Sequence, residues 1–297
     1  MSLFGIGGGA LAGCSPVPAT DAGGHAGGAG ASKVDIDQLL PKDLPISEEA
    51  RQMIGDLVAT MQPIDPTLTS NFHDQQFQRE KALIERLEKG PKEIGWAALH
   101  AFTNYPERDF KVRRNLLRVG AHAAPEEAKA LLEFLSFNYG PYIEDRTEAC
   151  LLFAEVAPER FMELARPFIV RRDVLHQTLP DDEFLVQAWN RACTASGISP
   201  VPVMADVATN LMMQPYARVI AIRTLAANEI TPESRAALQT CLIESMGDGL
   251  IRRTAAQSIL ANFPREDACA LLREVRAREA DINMADFLDE MIQENCK

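Results

Sequence analysis

Leu250-Ile251-Arg252-Arg253-Thr254-Ala255-Ala256-Gln257-Ser258-Ile259-Leu260, followed after Ala261 by Asn262-Phe263-Pro264-Arg265-Glu266, is the stretch that decides the fold. Its apolar side chains at 251, 255, 256, 259 and 260 recur at helical spacing, and the small alanines let another helix come close. Pro264 stands where a second helix begins. A proline there lacks only an N–H that would have no intrahelical partner anyway. Glu266 suits the positive end of that helix's dipole. Ala268, Leu271, Leu272 and Val275 then carry an apolar stripe to about Ala280. One unit is therefore two helices, with an arginine early in the first and a proline opening the second.

The same grammar runs backwards through the chain. Arg218-x-x-Ala221-Ile222-x-Thr224-Leu225 leads to Pro232-Glu233, and Arg146-x-x-Ala149-Cys150-x-Leu152-Phe153 leads to Pro158-Glu159. Val112-Arg113-x-x-Leu116-Leu117 leads to Pro125-Glu126, and Arg79-x-x-Ala82-Leu83 leads to Pro91. Pro91, Pro125, Pro158, Pro200, Pro232 and Pro264 are separated by 34, 33, 42, 32 and 32 residues. Arg79, Arg113, Arg146 and Arg252 each precede their proline by twelve residues, and Arg218 does so by fourteen. A fixed period of this length marks stacked helical units. The fourth unit departs from it: Leu185 holds the arginine position, and the linker 171–182 is long.

The Val/Ile-Arg-x-x-Ala-Ala-x-x-Leu opening resembles the HEAT and HEAT-like repeats over about residues 75–297. The resemblance implies an all-α fold, an α-solenoid of about six HEAT-like helix pairs wound right-handed. First helices would line its convex side and second helices its concave side. One arginine per unit (Arg79, Arg113, Arg146, Arg218, Arg252) is expected to form a structural ladder tying adjacent units through carboxylates or carbonyls. The alternative role is ligand binding.

Residues 34–74 read as an N-terminal helical cap. Ser47 is a candidate N-cap for a helix to about Met61, with Ala50, Met53, Ile54, Leu57 and Val58 on one stripe. Ahead of it the chain changes character. Residues 1–13 are short, apolar and glycine-rich and end in Leu11-Ala12-Gly13-Cys14, which resembles a bacterial lipobox; residues 14–33 are a Gly/Ala/Pro tether unable to bury a core. By that resemblance 1–13 is a signal peptide, possibly incomplete, and Cys14 is the lipidated residue. Ser15 after it implies the periplasmic side of an outer membrane. The alternative is a glycine-rich leader on a cytoplasmic protein.

A formal net charge of −12 argues against nucleic acid as the partner, because phosphate binding needs a basic stripe. None of the five histidines stands at metal-ligand spacing, and no cofactor motif is present in the sequence. The five cysteines beyond Cys14 (150, 193, 241, 269 and 296) make a poor disulfide framework, and those at 150, 241 and 269 read as buried free thiols. These readings favour a non-catalytic protein-binding scaffold. The alternative is an enzyme of the HEAT-like lyase or base-repair type. Partner-binding candidates are Glu126, Glu133, Glu159 and Glu163 on second helices, with Tyr139 and Tyr142 in an aromatic turn.

Overall fold

The computed structural model describes residues 36–61, 70–106, 109–137, 145–170, 182–244 and 248–297, and these are helical, with no strand among them. Residues 1–35, with Cys14, lie outside the described residues, as do Tyr139 and Tyr142. A short 3-10 turn (Ile36–Leu39) precedes α1 (Glu48–Thr60). Ser47 caps α1 by accepting a hydrogen bond from the Ala50 N–H at 3.2 Å, and Ala50, Ile54 and Leu57 are buried.

The prolines open helices at every expected place. Pro91 precedes α3 (Lys92–Asn104), Pro200 precedes α9 (Val201–Thr209) and Pro264 precedes α13 (Arg265–Arg278). Pro125, Pro158 and Pro232 are the first residues of α5 (Pro125–Phe137), α7 (Pro158–Ile169) and α11 (Pro232–Glu244). The intervening first helices are α2 (Ser70–Glu88), α4 (Phe110–Ala123), α6 (Arg146–Val156), α8 (Asp182–Ser196), α10 (Pro215–Ala227) and α12 (Gly249–Asn262). A last helix, α14 (Ile282–Asn295), lies beyond the final helix that the repeat grammar foresees.

Packing follows this order. α2, α4, α6, α8, α10, α12 and α14 each touch the next in the series, and each of α3, α5, α7, α9, α11 and α13 touches the following member of it. The chain therefore buries one continuous apolar core by neighbour contacts. Small residues permit the close approaches: a Cβ on Gly120 would lie 2.5 Å from the Leu99 side chain, and one on Gly95 would lie 2.6 Å from Ala124.

The arginines lie in the first turns of their helices and reach across the junctions. Arg146, Arg218 and Arg252 are buried, and each donates from Nε to a carbonyl ten residues earlier: Ser136 at 3.0 Å, Ala208 at 2.9 Å and Leu242 at 2.9 Å. Those carbonyls sit in the last turns of the preceding second helices, or just before the last residue. Such groups lack an intrahelical donor and carry the negative end of the helix dipole. Arg113 is the fullest case. Its Nη1 donates to the carbonyls of Phe102 (3.0 Å) and Tyr105 (2.9 Å), its guanidinium lies 4.1 Å from the Phe102 ring centroid, and Nε and Nη2 grip Asp145 at 3.1 and 2.6 Å. Carboxylates at the threshold of the next first helix recur: Asp248 lies 4.0 Å from Arg218, and Glu279 pairs with Arg252. The hydrogen bond from Arg252 holds the Glu279 carboxyl below the usual carboxylate range.

Arg79 departs from this pattern. It is exposed on α2, whereas its neighbour Glu80 is buried and pairs with Lys111 of α4 at 2.7 Å. α2 starts nine residues before Arg79, so this arginine falls in the middle of a helix. In the fourth unit Leu185 is 2% exposed and packs apolar contacts where an arginine would stand.

The cysteine reading needs correction. Cys150, Cys193 and Cys241 are buried free thiols, but Cys269 forms a disulfide with Cys296. α14 runs back along α13, so that Arg265 and Arg273 donate to the carbonyls of Asn295 and Cys296. This return brings two cysteines 27 residues apart to a Cα separation of 5.6 Å.

Removing Arg113 strands the Asp145 carboxylate in the interior. Arg113→Ala should cost about 3–5 kcal/mol in urea unfolding, as expected for breaking a buried pair from one side. The exposed Arg253→Ala should stay within about 0.5 kcal/mol. Equal losses would reject the ladder as the main constraint. Reduction, or Cys296→Ser, should cost ~3 kcal/mol by chain entropy for a loop of this length, read as a lower unfolding temperature.

Candidate functional site

Consecutive first helices lie side by side, so side chains one repeat apart meet. Glu88, His122 and Glu155 are separated by 34 and 33 residues, the same steps as Pro91, Pro125 and Pro158. They come from the last turns of α2, α4 and α6. His122 Nδ1 lies 3.5 Å from Glu88, and its Nε2 lies 3.3 Å from Glu155. Arg118, one turn earlier on α4, also pairs with Glu88, and Arg191 of α8 pairs with Glu155. Four helices are thus joined by one chain of alternating charge: Glu88, then His122 with Arg118, then Glu155, then Arg191.

The hydrogen bond to Glu155 leads the causes that raise the His122 pKa above its ordinary value, with the Glu88 charge adding and burial opposing. The same bond holds the Glu155 carboxyl below its usual range. Glu148 on α6, 3.9 Å from Arg114, is shifted the other way because burial penalises its charged form.

Beyond Glu155 the surface opens into a groove of about 1,100 Å³. Gln187, Asn190 and Arg191 of α8 line it, with Ile220 and Arg223 of α10 opposite, and Glu155 at one end. Asn190 donates to the Thr224 hydroxyl at 2.6 Å across 34 residues, which sets the spacing of α8 and α10. Cys193 also borders the groove, where burial raises its thiol pKa and keeps it protonated. The groove combines exposed Ile198, carboxamides, hydroxyls and charges of both signs.

The residues singled out on second helices are arranged differently. Glu126 pairs with Lys129 at 2.7 Å on its own helix. Glu133 of α5 and Glu163 of α7 share Arg160 of α7, at 3.1 and 2.9 Å, so the Glu133 carboxylate cross-links α5 to α7 while Glu163 pairs within its own helix. Glu159 is exposed. Phe137, at the start of the aromatic turn, is packed against the rings of Phe153, Phe161 and Phe168 with centroids 5.9–6.4 Å away. Among the described residues no cluster of three or more His, Cys, Asp or Glu is placed to hold a metal ion. The first-helix charge chain was missed by sequence reasoning because the histidines were searched for local motifs. Pairing residues one proline step apart finds it.

No family model, curated protein or solved structure matches this chain.

Arg191 is half-exposed, and its pair with Glu155 is correspondingly screened. Arg191→Ala should change unfolding free energy by no more than about 1 kcal/mol, measured by urea titration. A loss as large as that of Arg113→Ala would make the charge chain a principal structural support.

Proposed function

We propose that the protein is a non-catalytic protein-binding scaffold: an α-solenoid of six HEAT-like helix pairs, α2–α3 to α12–α13, with α1 as its N-terminal cap. The observation that carries this reading is the repeated junction contact, one buried arginine tying a second-helix carbonyl to its own first helix and often to a carboxylate of the next unit. Units joined this way present an uninterrupted row of first helices. Their side chains form a surface too long for any one helix to make, and repeat arrays bind through such extended surfaces. The groove between α8 and α10 is one recess on that surface, with aliphatic and hydrogen-bonding groups mixed as in protein interfaces.

The lipid-anchor reading is part of the proposal. The Cys269–Cys296 disulfide supports export, since such bonds persist in oxidising compartments and are rare in the cytosol. Among the described residues no helix is long and apolar enough to cross a membrane, so membrane attachment rests on Cys14. Stable anchoring takes more than one acyl chain.

Expressed from its natural start in its own host, the protein should enter the detergent phase, and Cys14→Ser should move it to the aqueous phase. A photo-reactive residue at Arg223 should cross-link a defined protein partner in native membranes, and the same residue at the remote exposed site Glu266 should not. An uncleaved, unmodified chain with reduced Cys269 and Cys296 would remove the anchor. Identical cross-linking from both positions would remove the groove as the binding surface.

A further inference from the structure

His122 is the one described imidazole that bridges two other helices. Its two nitrogens face carboxylates from opposite neighbours, Glu88 of α2 and Glu155 of α6, at 3.5 and 3.3 Å. A neutral imidazole carries one N–H and can donate to only one of them. An imidazolium donates to both. The number of helices tied together through this side chain therefore depends on one proton.

We propose that His122 is a protonation-controlled staple: when charged it fastens α2, α4 and α6 to one another, and when neutral it releases one of the two flanking helices. The staple also acts on the groove, since Glu155 is shared between His122 and Arg191 and both Glu155 and Arg191 line the groove. Protonation draws Glu155 toward α4 and leaves more of the Arg191 charge turned to the groove. The regulation reaches whatever occupies that groove, but the staple itself does not depend on the scaffold reading.

The surrounding charges set the direction. From α2 comes Glu88 and from α6 Glu155, both favouring the charged imidazole; Arg118 on α4 opposes it, and Arg191 of α8 stands behind Glu155. α3 and α5, packed against α4 on other sides, bring Lys92 and Glu127, which pair with each other at 2.6 Å. The folded pKa of His122 lies above its ordinary value, so its stabilisation is fully present below the unfolded value and is lost as pH rises through the folded one. Glu155 works in the opposite sense: its folded pKa is depressed, so its contribution is present above the ordinary carboxylate value and is lost as pH falls through the folded one. The staple is complete between these two limits and opens on its alkaline side as pH rises through the raised His122 pKa.

The test uses the full chain. Histidine NMR titration, with the His122 signal assigned by its absence in His122→Gln, should give a pKa above 6.5 that falls in Glu155→Gln. Backbone hydrogen exchange should be compared between wild type and His122→Gln in α2 and α6 at about pH 6 and about pH 8, a span that brackets the histidine transition. Taking the ratio of the two proteins cancels the intrinsic pH dependence of exchange. The ratio of His122→Gln to wild type is expected to exceed one in α2 and α6 at the lower pH and to fall to one at the higher pH in the helix that the neutral imidazole releases. A ratio unchanged with pH, or a His122 pKa at or below 6.5, overturns the staple. Should His122→Gln not fold, wild type and Glu155→Gln, with His122 assigned by triple resonance, decide the matter: a His122 pKa indifferent to Glu155→Gln overturns the proposal.

Discussion

A guanidinium buried at the junction between helical units is the contact on which the rest of this structure depends. Every α-helix ends with carbonyls that have no intrahelical donor, and stacking helices end over end in a core would bury them at a cost. Arg113 answers that problem for α3 by donating to the carbonyls of Phe102 and Tyr105 at its C-terminal end while its charge is matched by Asp145. Arginine is suited to this task because its planar fork offers five donors in fixed directions and stays charged when buried. The ring of Phe102 beneath it supplies the apolar side of the same contact. Neither partner is stable alone in the interior, so the geometry of each junction is strongly specified.

This explains what the sequence disclosed and what it withheld. Proline and arginine act through local backbone chemistry and through one repeated contact, so their phase was legible as spacing. The N-cap of α1 at Ser47 was legible for the same reason. Asp109, Asp248 and Asp281 also cap helices, each accepting from a backbone N–H two or three residues on. Two of them stand four residues before a ladder arginine, as Asp-x-x-Val-Arg and Asp-x-x-Ile-Arg, a pattern the repeat reading passed over. Arg79 was misplaced because its twelve-residue phase to Pro91 holds even though α2 extends well before it. Phase alone does not say where a helix starts. The Glu88–His122–Glu155 chain was hidden for another reason: its members are far apart in sequence and become neighbours only once the repeat step is applied as a distance rule.

The C-terminal end shows a further limit of local reasoning. Cys269 occupies a position on α13 that small apolar residues fill elsewhere, and read alone it is a core thiol. Its partner, Cys296, is the C-cap of α14, far along the chain and brought back by the return of that helix along α13. The outer residues of α14, including Asp286, Asp289, Glu290 and Glu294, are exposed and acidic. The covalent link fastens the C-terminal end of α14 to α13.

The break in the period and the groove lie together. Where the other junctions have arginine, the fourth unit has Leu185, whose side chain fills space but offers no donors to the preceding helix end. The step between prolines there is 42 residues instead of 32 to 34. Apolar contact is non-directional, so this junction specifies spacing less tightly than a bidentate ion pair does. The polar groups on the surface take over part of that role: Asn190 reaches Thr224, and Arg191 reaches back to Glu155. The Arg191–Glu155 pair is half-exposed and individually weak, the Asn190–Thr224 bond is partly buried, and both border an open recess. The departure in sequence and the recess in structure fall on the same helix, α8.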